Sequence, residues 1–253
     1  MTPFANFLLL LSAGFAGMAP ADSVPLPNGE KLRIGKGDYV IHSAEREGPV
    51  TLIDEETIRF TVAPGDQWLF DRQVGALRER AEISSRNRVQ FGEMARASVD
   101  MRLARQETGG PGTWMLVAQL HGPDRSKLRE DTALRSPPFA MQVSGDRLIF
   151  LVRSGKAGDK SAAQQRIGSI PADFDQWHRY DFDVQMGRNG RVTILRDGEI
   201  AIDWTGPVGY DAGDGMHYWK FGIYRSAEWR GSSQLDLRIA CAGSLEGCIA
   251  DNP

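Results

Sequence analysis

Short alternating runs dominate the chain. Thr57-Ile58-Arg59-Phe60-Thr61-Val62 alternates and stops at Pro64-Gly65. Val99-Asp100-Met101-Arg102-Leu103 alternates ahead of Gly109-Gly110-Pro111-Gly112, and Trp114 to His121 is a longer run. Phe139 to Val143, Gly145-Asp146 and Arg147 to Val152 predict a hairpin. A second is predicted by Trp177 to Val184, Arg188-Asn189-Gly190 and Val192 to Leu195. Asp197-Gly198 is a tight-turn signal leading into Ile200 to Trp204, and Leu235 to Ile239 closes the series. Helical periodicity is confined to a turn within Trp68 to Leu77. Many short strands with Gly/Pro turns predict an all-β domain, a two-sheet sandwich or jelly roll with a concave groove. No repeat or linker divides the chain, so residues 38–253 are expected to form one domain behind an extended lead-in, 22–37.

The ends add two expectations. Phe4 to Met18 is almost wholly apolar and ends in Ala19-Pro20-Ala21, a small-x-small pattern. Residues 1–21 therefore predict a signal peptide cut before Asp22, and a secreted or periplasmic protein. The apolar run is shorter than a spanning helix needs, and no other segment could cross a bilayer. In an oxidising compartment, Cys241 and Cys248 are expected to form a disulfide closing a small loop; without a nearby His they do not make a zinc site. The net charge of -3 gives no reason to expect nucleic acid as a partner.

Three polar strings fall on predicted strands. A strand sends alternate side chains to opposite faces. Arg80, Glu82 and Ser84 then share a face, as do Gln119 and His121. Tyr218, Lys220, Gly222 and Tyr224 share another, with Trp219, Phe221 and Ile223 pointing away. If these strands lie in one sheet, they build a groove carrying Arg, Glu, Gln, His, Lys and Tyr. That set suits an anionic sugar and the movement of a proton. The C5 proton of a uronic acid lies α to a carboxylate, whose charge must be neutralised before the proton can leave. Arg80 and Gln119 are suitable donors. His121 is a natural base and Tyr224 a suitable acid. Lys220 is expected to favour the ionised form of Tyr224 and to hold substrate charge. The absent side chain of Gly222 is expected to leave room for a sugar ring.

These residues carry a resemblance. Arg80-Ala81-Glu82-Ile83, Gln119-Leu120-His121 and Tyr218-Trp219-Lys220-Phe221-Gly222-Ile223-Tyr224 resemble the motifs of the jelly-roll polysaccharide lyases. That group holds heparin lyase I, glucuronan lyase and the jelly-roll alginate lyases. Gln119-Leu120-His121-Gly122-Pro123, Ser136-Pro137-Pro138, Gln176-Trp177-His178 and the ending Phe221 to Arg225 favour the heparin-lyase-I-like branch. Alginate lyases of the group continue with Asn-Gln after the last Tyr, where this chain has Arg225-Ser226. The resemblance implies His121 as base, Tyr224 as acid, Arg80 and Gln119 as carboxylate neutralisers, and Lys220 as a substrate ligand. Tyr218, Glu82 and Arg225 join the substrate-binding set. Glu82 also reads as a brace for Arg80, and Arg225 equally as a surface charge. No cofactor is required; calcium enters only because some relatives use it. The expected partner is an acidic polysaccharide, met by a monomer.

The other histidines read as structural. His178 shares a face with Tyr180 and Phe182, His217 shares parity with Trp219, and His42 has no partner motif. The polar segments Gly122 to Pro138 and Arg153 to Arg166 read as loops able to overhang the groove. Two other functions fit a lectin-like sandwich. A non-catalytic carbohydrate-binding module would not need both proton-transfer residues. A glycoside hydrolase needs two facing carboxylic acids, and Asp181 with Asp183 stand alone.

Overall fold

The computed structural model describes residues 23–105, 112–122, 136–156, 162–211 and 216–249. The segment read as a signal peptide and most of Gly122 to Pro138 lie outside the described residues. The strands are β1 Val24–Pro25, β2 Lys31–Ile34, β3 Gly37–Ser43, β4 Val50–Leu52, β5 Ile58–Val62, β6 Arg78–Ser85, β7 Val89–Gln90, β8 Met94–Leu103 and β9 Met115–His121. They continue as β10 Phe139–Ser144, β11 Arg147–Lys156, β12 Ala163–Pro171, β13 Trp177–Gln185, β14 Gly187–Arg196, β15 Glu199–Asp211, β16 Met216–Ser226 and β17 Ser233–Ser244. Two short helices, α1 Leu69–Gln73 and α2 Leu245–Ile249, complete the described structure.

The strands form two layers, as the alternation predicts. An outer sheet runs β1-β4-β5-β17-β8-β13-β14-β15. The second sheet, which carries the cleft, runs β2-β3-β6-β16-β9-β10-β11-β12. These pairings are antiparallel. The end of β15 leaves its sheet and pairs in parallel with β11, Ser154 opposite Gly209, so one strand serves both layers. The lead-in is not a loose extension. Val24–Pro25 pairs with Leu52 and Thr51, and Lys31–Ile34 with β3.

The core lies between the layers. Ala81, Ile83, Leu120, Trp219, Phe221 and Ile223 meet Phe60, Val99, Phe182, Ile194 and Leu237 across it, all buried. Trp219 stands at the centre, 5.6 Å from Phe182, 5.7 Å from Phe221 and 5.9 Å from Phe139 between ring centroids. Fully burying each such side chain contributes roughly 1.5–3 kcal/mol. The Asp197-Gly198 turn forms where expected, with φ of 54° and 84°, linking β14 to β15. The segment Arg153 to Arg166 departs from expectation. Its described ends belong to β11 and β12, which pair directly, so it extends the cleft sheet.

Cys241 and Cys248 are disulfide-bonded, with Cα atoms 5.4 Å apart. The bond ties α2 to the end of β17. Among the described residues, no helix is long and apolar enough to cross a membrane.

Candidate active site

Register brings the three polar strings together. β16 lies between β6 and β9, with Tyr224 opposite Arg80, Lys220 opposite Gln119 and Tyr218 opposite His121. The face turned away from the core forms a cleft of about 860 Å³. It is lined by Arg80, Gln119, His121, Tyr218, Lys220 and Tyr224, with His42, Trp68 and Asp71 beside them.

Beneath its floor is a charge network. Glu82 is only 2% exposed. It accepts from Lys220 Nζ at 2.6 Å, from Arg80 Nη1 at 3.2 Å and from Gln119 Nε2. Burial pushes its carboxyl pKa up, but Lys220 and Arg80 outweigh that and hold it below the ordinary value. Glu82 is therefore the brace under the cleft. Its grouping with the substrate-binding residues is corrected, because it does not line the cleft.

Asp71, on α1, engages the other side of Arg80. Its Oδ2 meets Arg80 Nε at 2.6 Å, and its Oδ1 accepts from Nη2 at 2.9 Å. The bidentate face of the guanidinium expected for a substrate carboxylate is thus already held by Asp71. What remains for a ligand are the other N–H groups of Nη1 and Nη2. The guanidinium carbon lies 4.2 Å from the ring centroid of Tyr224 and 5.2 Å from that of Trp68.

Tyr224 is packed edge-on against Trp114, centroids 4.8 Å apart. Burial raises its phenol pKa, opposed by Arg80 and Arg78. The expectation that Lys220 ionises Tyr224 is corrected. Lys220 Nζ is 6.0 Å from the ring centroid and committed to Glu82, whereas Arg80 is the nearer cation. Burial also lowers the pKa of Lys220, opposed by Glu82.

Gly222 serves a different purpose from the one expected. Its φ is 126°, and a Cβ there would lie 2.3 Å from Ala81 O and 2.7 Å from Glu82 Cα. The glycine lets β16 approach β6 where the β16–β9 register shifts, between Phe221 and Tyr224. It does not clear space for a sugar.

Arg225 leaves the substrate-binding set too. It is 0% exposed, on the side of Phe221 and Ile223. Its Nε donates to Glu79 Oε2 at 2.8 Å, and Nη1 donates to Gly231 O at 2.6 Å and Ser233 Oγ at 2.7 Å. It ties β16 to β6 and β17.

His42, read as structural, lines the cleft. It sits opposite Glu82 in the β3–β6 register and stacks on Trp68, centroids 4.7 Å apart. Burial, with Lys220 and Arg80 adding to it against Glu82, lowers its pKa to about 3, so the ring is neutral. His217 is fully buried, and burial lowers its pKa to about 4. His178 lies at the core edge, its Nδ1 2.7 Å from Asp197 Oδ2. The His121 and Tyr218 rings lie 5.4 Å apart at a tilt of 33°, with Arg88 over Tyr218 at 4.4 Å. Among the described residues, no group of three or more His, Cys, Asp or Glu could hold a metal ion.

The family whose description is Polysaccharide lyase matches residues 35–238. The chain belongs to the polysaccharide lyase family. Membership makes it an enzyme and sets aside the binding-module and hydrolase readings. No curated protein matches the sequence. Solved lyase structures share the fold. An endo-β-1,4-glucuronan lyase from the fungus Trichoderma reesei is 13% identical with a TM-score of 0.59, over 87% of this chain and 94% of that one. The family 7 alginate lyase A1-II′, in complex with substrate, is 14% identical with a TM-score of 0.55, over 83% and 94%. At these identities the likeness to the two lyases is one of fold.

Proposed function

We propose that this polysaccharide lyase cleaves a uronic-acid polymer by β-elimination in the cleft, with His121 as base and Tyr224 as acid. His121 takes the C5 proton, and the electrons of the C5–H bond form a C4=C5 double bond. The C4–O bond breaks, and the Tyr224 hydroxyl protonates the departing oxygen. The uronate carboxylate is met by the remaining N–H groups of Arg80, Gln119 and Lys220, which stabilise charge as it develops. The observation that carries this reading is the meeting of Arg80, Gln119, His121, Lys220 and Tyr224 on one wall of a single cleft. The upward shift of Tyr224 supports it, since a phenol kept protonated is ready to donate.

The glucuronan and alginate lyases that share the fold act on uronans by name, which favours a uronate substrate. The strings Gln119 to Pro123 and Ser136 to Pro138 favour the heparin-lyase-I-like branch. The enzyme acts outside the cytoplasm, as the apolar segment before Asp22 and the disulfide favour. It works as a monomer, since one chain supplies every residue named. The test is incubation with glucuronan, alginate and heparin. Turnover raises ultraviolet absorbance from the new C=C conjugated to the carboxylate. A folded enzyme producing no such signal on any of the three rejects the reading.

A further inference from the structure

The buried cations Arg80, Lys220 and Arg225 each hold a carboxylate. Arg153, on the far wall of the cleft, does not. Its Nε donates to Gln164 Oε1 at 2.8 Å and its Nη1 to Pro137 O at 2.8 Å, both neutral acceptors. Among the described residues, no carboxylate forms an ion pair with it. Tyr210 stands near, but burial pushes its phenol up to about 12, so it supplies no anion. A guanidinium keeps its proton, so the side chain holds a part-buried, oriented positive charge facing the cleft, with no carboxylate against it among the described residues.

Its position is also informative. Val152, Phe139, Leu120 and Trp219 form one row across β11, β10, β9 and β16. The next row begins at Arg153, whose backbone N–H bonds Pro138 O, and ends at His121 and Tyr218. Arg153 and His121 are therefore two strand spacings apart, about 10 Å at the backbone. That spacing puts Arg153 within reach of a sugar unit beside the one losing its proton.

We propose that Arg153 forms an oxyanion subsite, oriented by Gln164 and Pro137, that takes a carboxylate or sulfate group on a sugar flanking the cleaved bond. This rests on the uronate-polymer reading above. A planar guanidinium fork suits either group.

The test uses the full chain and initial rates on glucuronan, alginate and heparin. On each polymer the wild type cleaves, Arg153→Gln is expected to raise KM about 10-fold or more, the scale of a lost charge-assisted contact. kcat should change less than about two-fold, as for lost uniform binding. Added salt should narrow the gap between variant and wild type. Arg153→Lys should recover part of the loss by keeping the charge without the fork. A penalty on glucuronan identifies a carboxylate ligand, and one confined to heparin identifies sulfate. A folded Arg153→Gln with wild-type KM on every cleaved polymer overturns the subsite alone. Should that variant not fold, Gln164→Ala, which removes one orienting contact, is expected to raise KM about 2- to 5-fold, and an unchanged KM overturns the proposal. A wild type inert on all three polymers removes the uronate reading, and the subsite with it.

Discussion

The two sheets carry the same kind of ion pair in different surroundings. On the outer sheet, Asp236 receives Arg59 at 2.7 Å and Arg102 at 2.5 Å, Arg96 meets Asp183 at 2.6 Å, and Arg191 meets Asp203 at 2.8 Å. These arginines keep a third or more of their side chains in water. On the cleft sheet, Glu82, Lys220 and Arg80 are 2%, 4% and 8% exposed by side chain. Water screens the Arg96–Asp183 and Arg191–Asp203 pairs and lets them break cheaply, whereas the fully buried Asp236 depends on Arg59 and Arg102. In the cleft set each charge depends on the others, since removing one strands its partners away from solvent. Similar geometry therefore laces a surface in one layer and builds a preorganised cleft floor in the other.

The largest expected effect strikes that floor. Glu82→Ala leaves Lys220 and Arg80 without their shared carboxylate, and should destabilise the fold by about 3–5 kcal/mol in urea unfolding. A loss below about 1 kcal/mol would place Glu82 with the surface pairs. Next are His121→Ala and Tyr224→Phe. Each is expected to cut turnover by at least about 10²-fold, roughly 2.7 kcal/mol of barrier, with little change in unfolding midpoint. Wild-type rates in both would refute their roles.

A third measurement asks what burial does to a group without a counter-charge. Burial lowers the folded pKa of His217 to about 4, below the ordinary 6.5 of an imidazole. As pH falls through 6.5, the unfolded chain gains a proton that the folded chain does not take up until about pH 4. Stability is therefore lost on acidification across that window. At pH 5.5 the cost is about 1.2 kcal/mol relative to neutral pH. His42, lowered to about 3, acts in the same direction. His217→Phe should flatten the slope of urea stability between pH 7.5 and 5.5. An unchanged slope would mean that His217 reaches solvent or a hydrogen-bond acceptor that stabilises its protonated ring. The smallest effect belongs to the outer sheet. Asp203→Asn should not measurably shift the unfolding midpoint, and a clear shift would undo the contrast between the layers.

The local pattern made much of the fold legible. Alternation located the strands, and Asp197-Gly198 fixed a hairpin because few other dipeptides adopt positive φ at both positions. Parity put Arg80, Gln119, His121, Lys220 and Tyr224 on cleft-facing positions. The misses have a common cause. His42 and Asp71 enter the site through β3 pairing with β6 and through α1 packing over Arg80, contacts no local pattern encodes. Arg225 lay on the core side by its own alternation from Phe221. Its burial is tolerated because Glu79 stands opposite in the β16–β6 register, and that partner is remote in sequence. Gly222 was read by face alone, whereas the closeness of the neighbouring backbone decides its role.

The strand shared between the layers, β15, bears on where the chain could be opened. New termini introduced by circular permutation within Gly209 to Asp211 would sever a joint on which both sheets depend. The tip at Asp197 and Gly198 belongs to the outer sheet only, where it also bonds His178 and Arg179, and should accept the same rewiring while the cleft wall stays assembled.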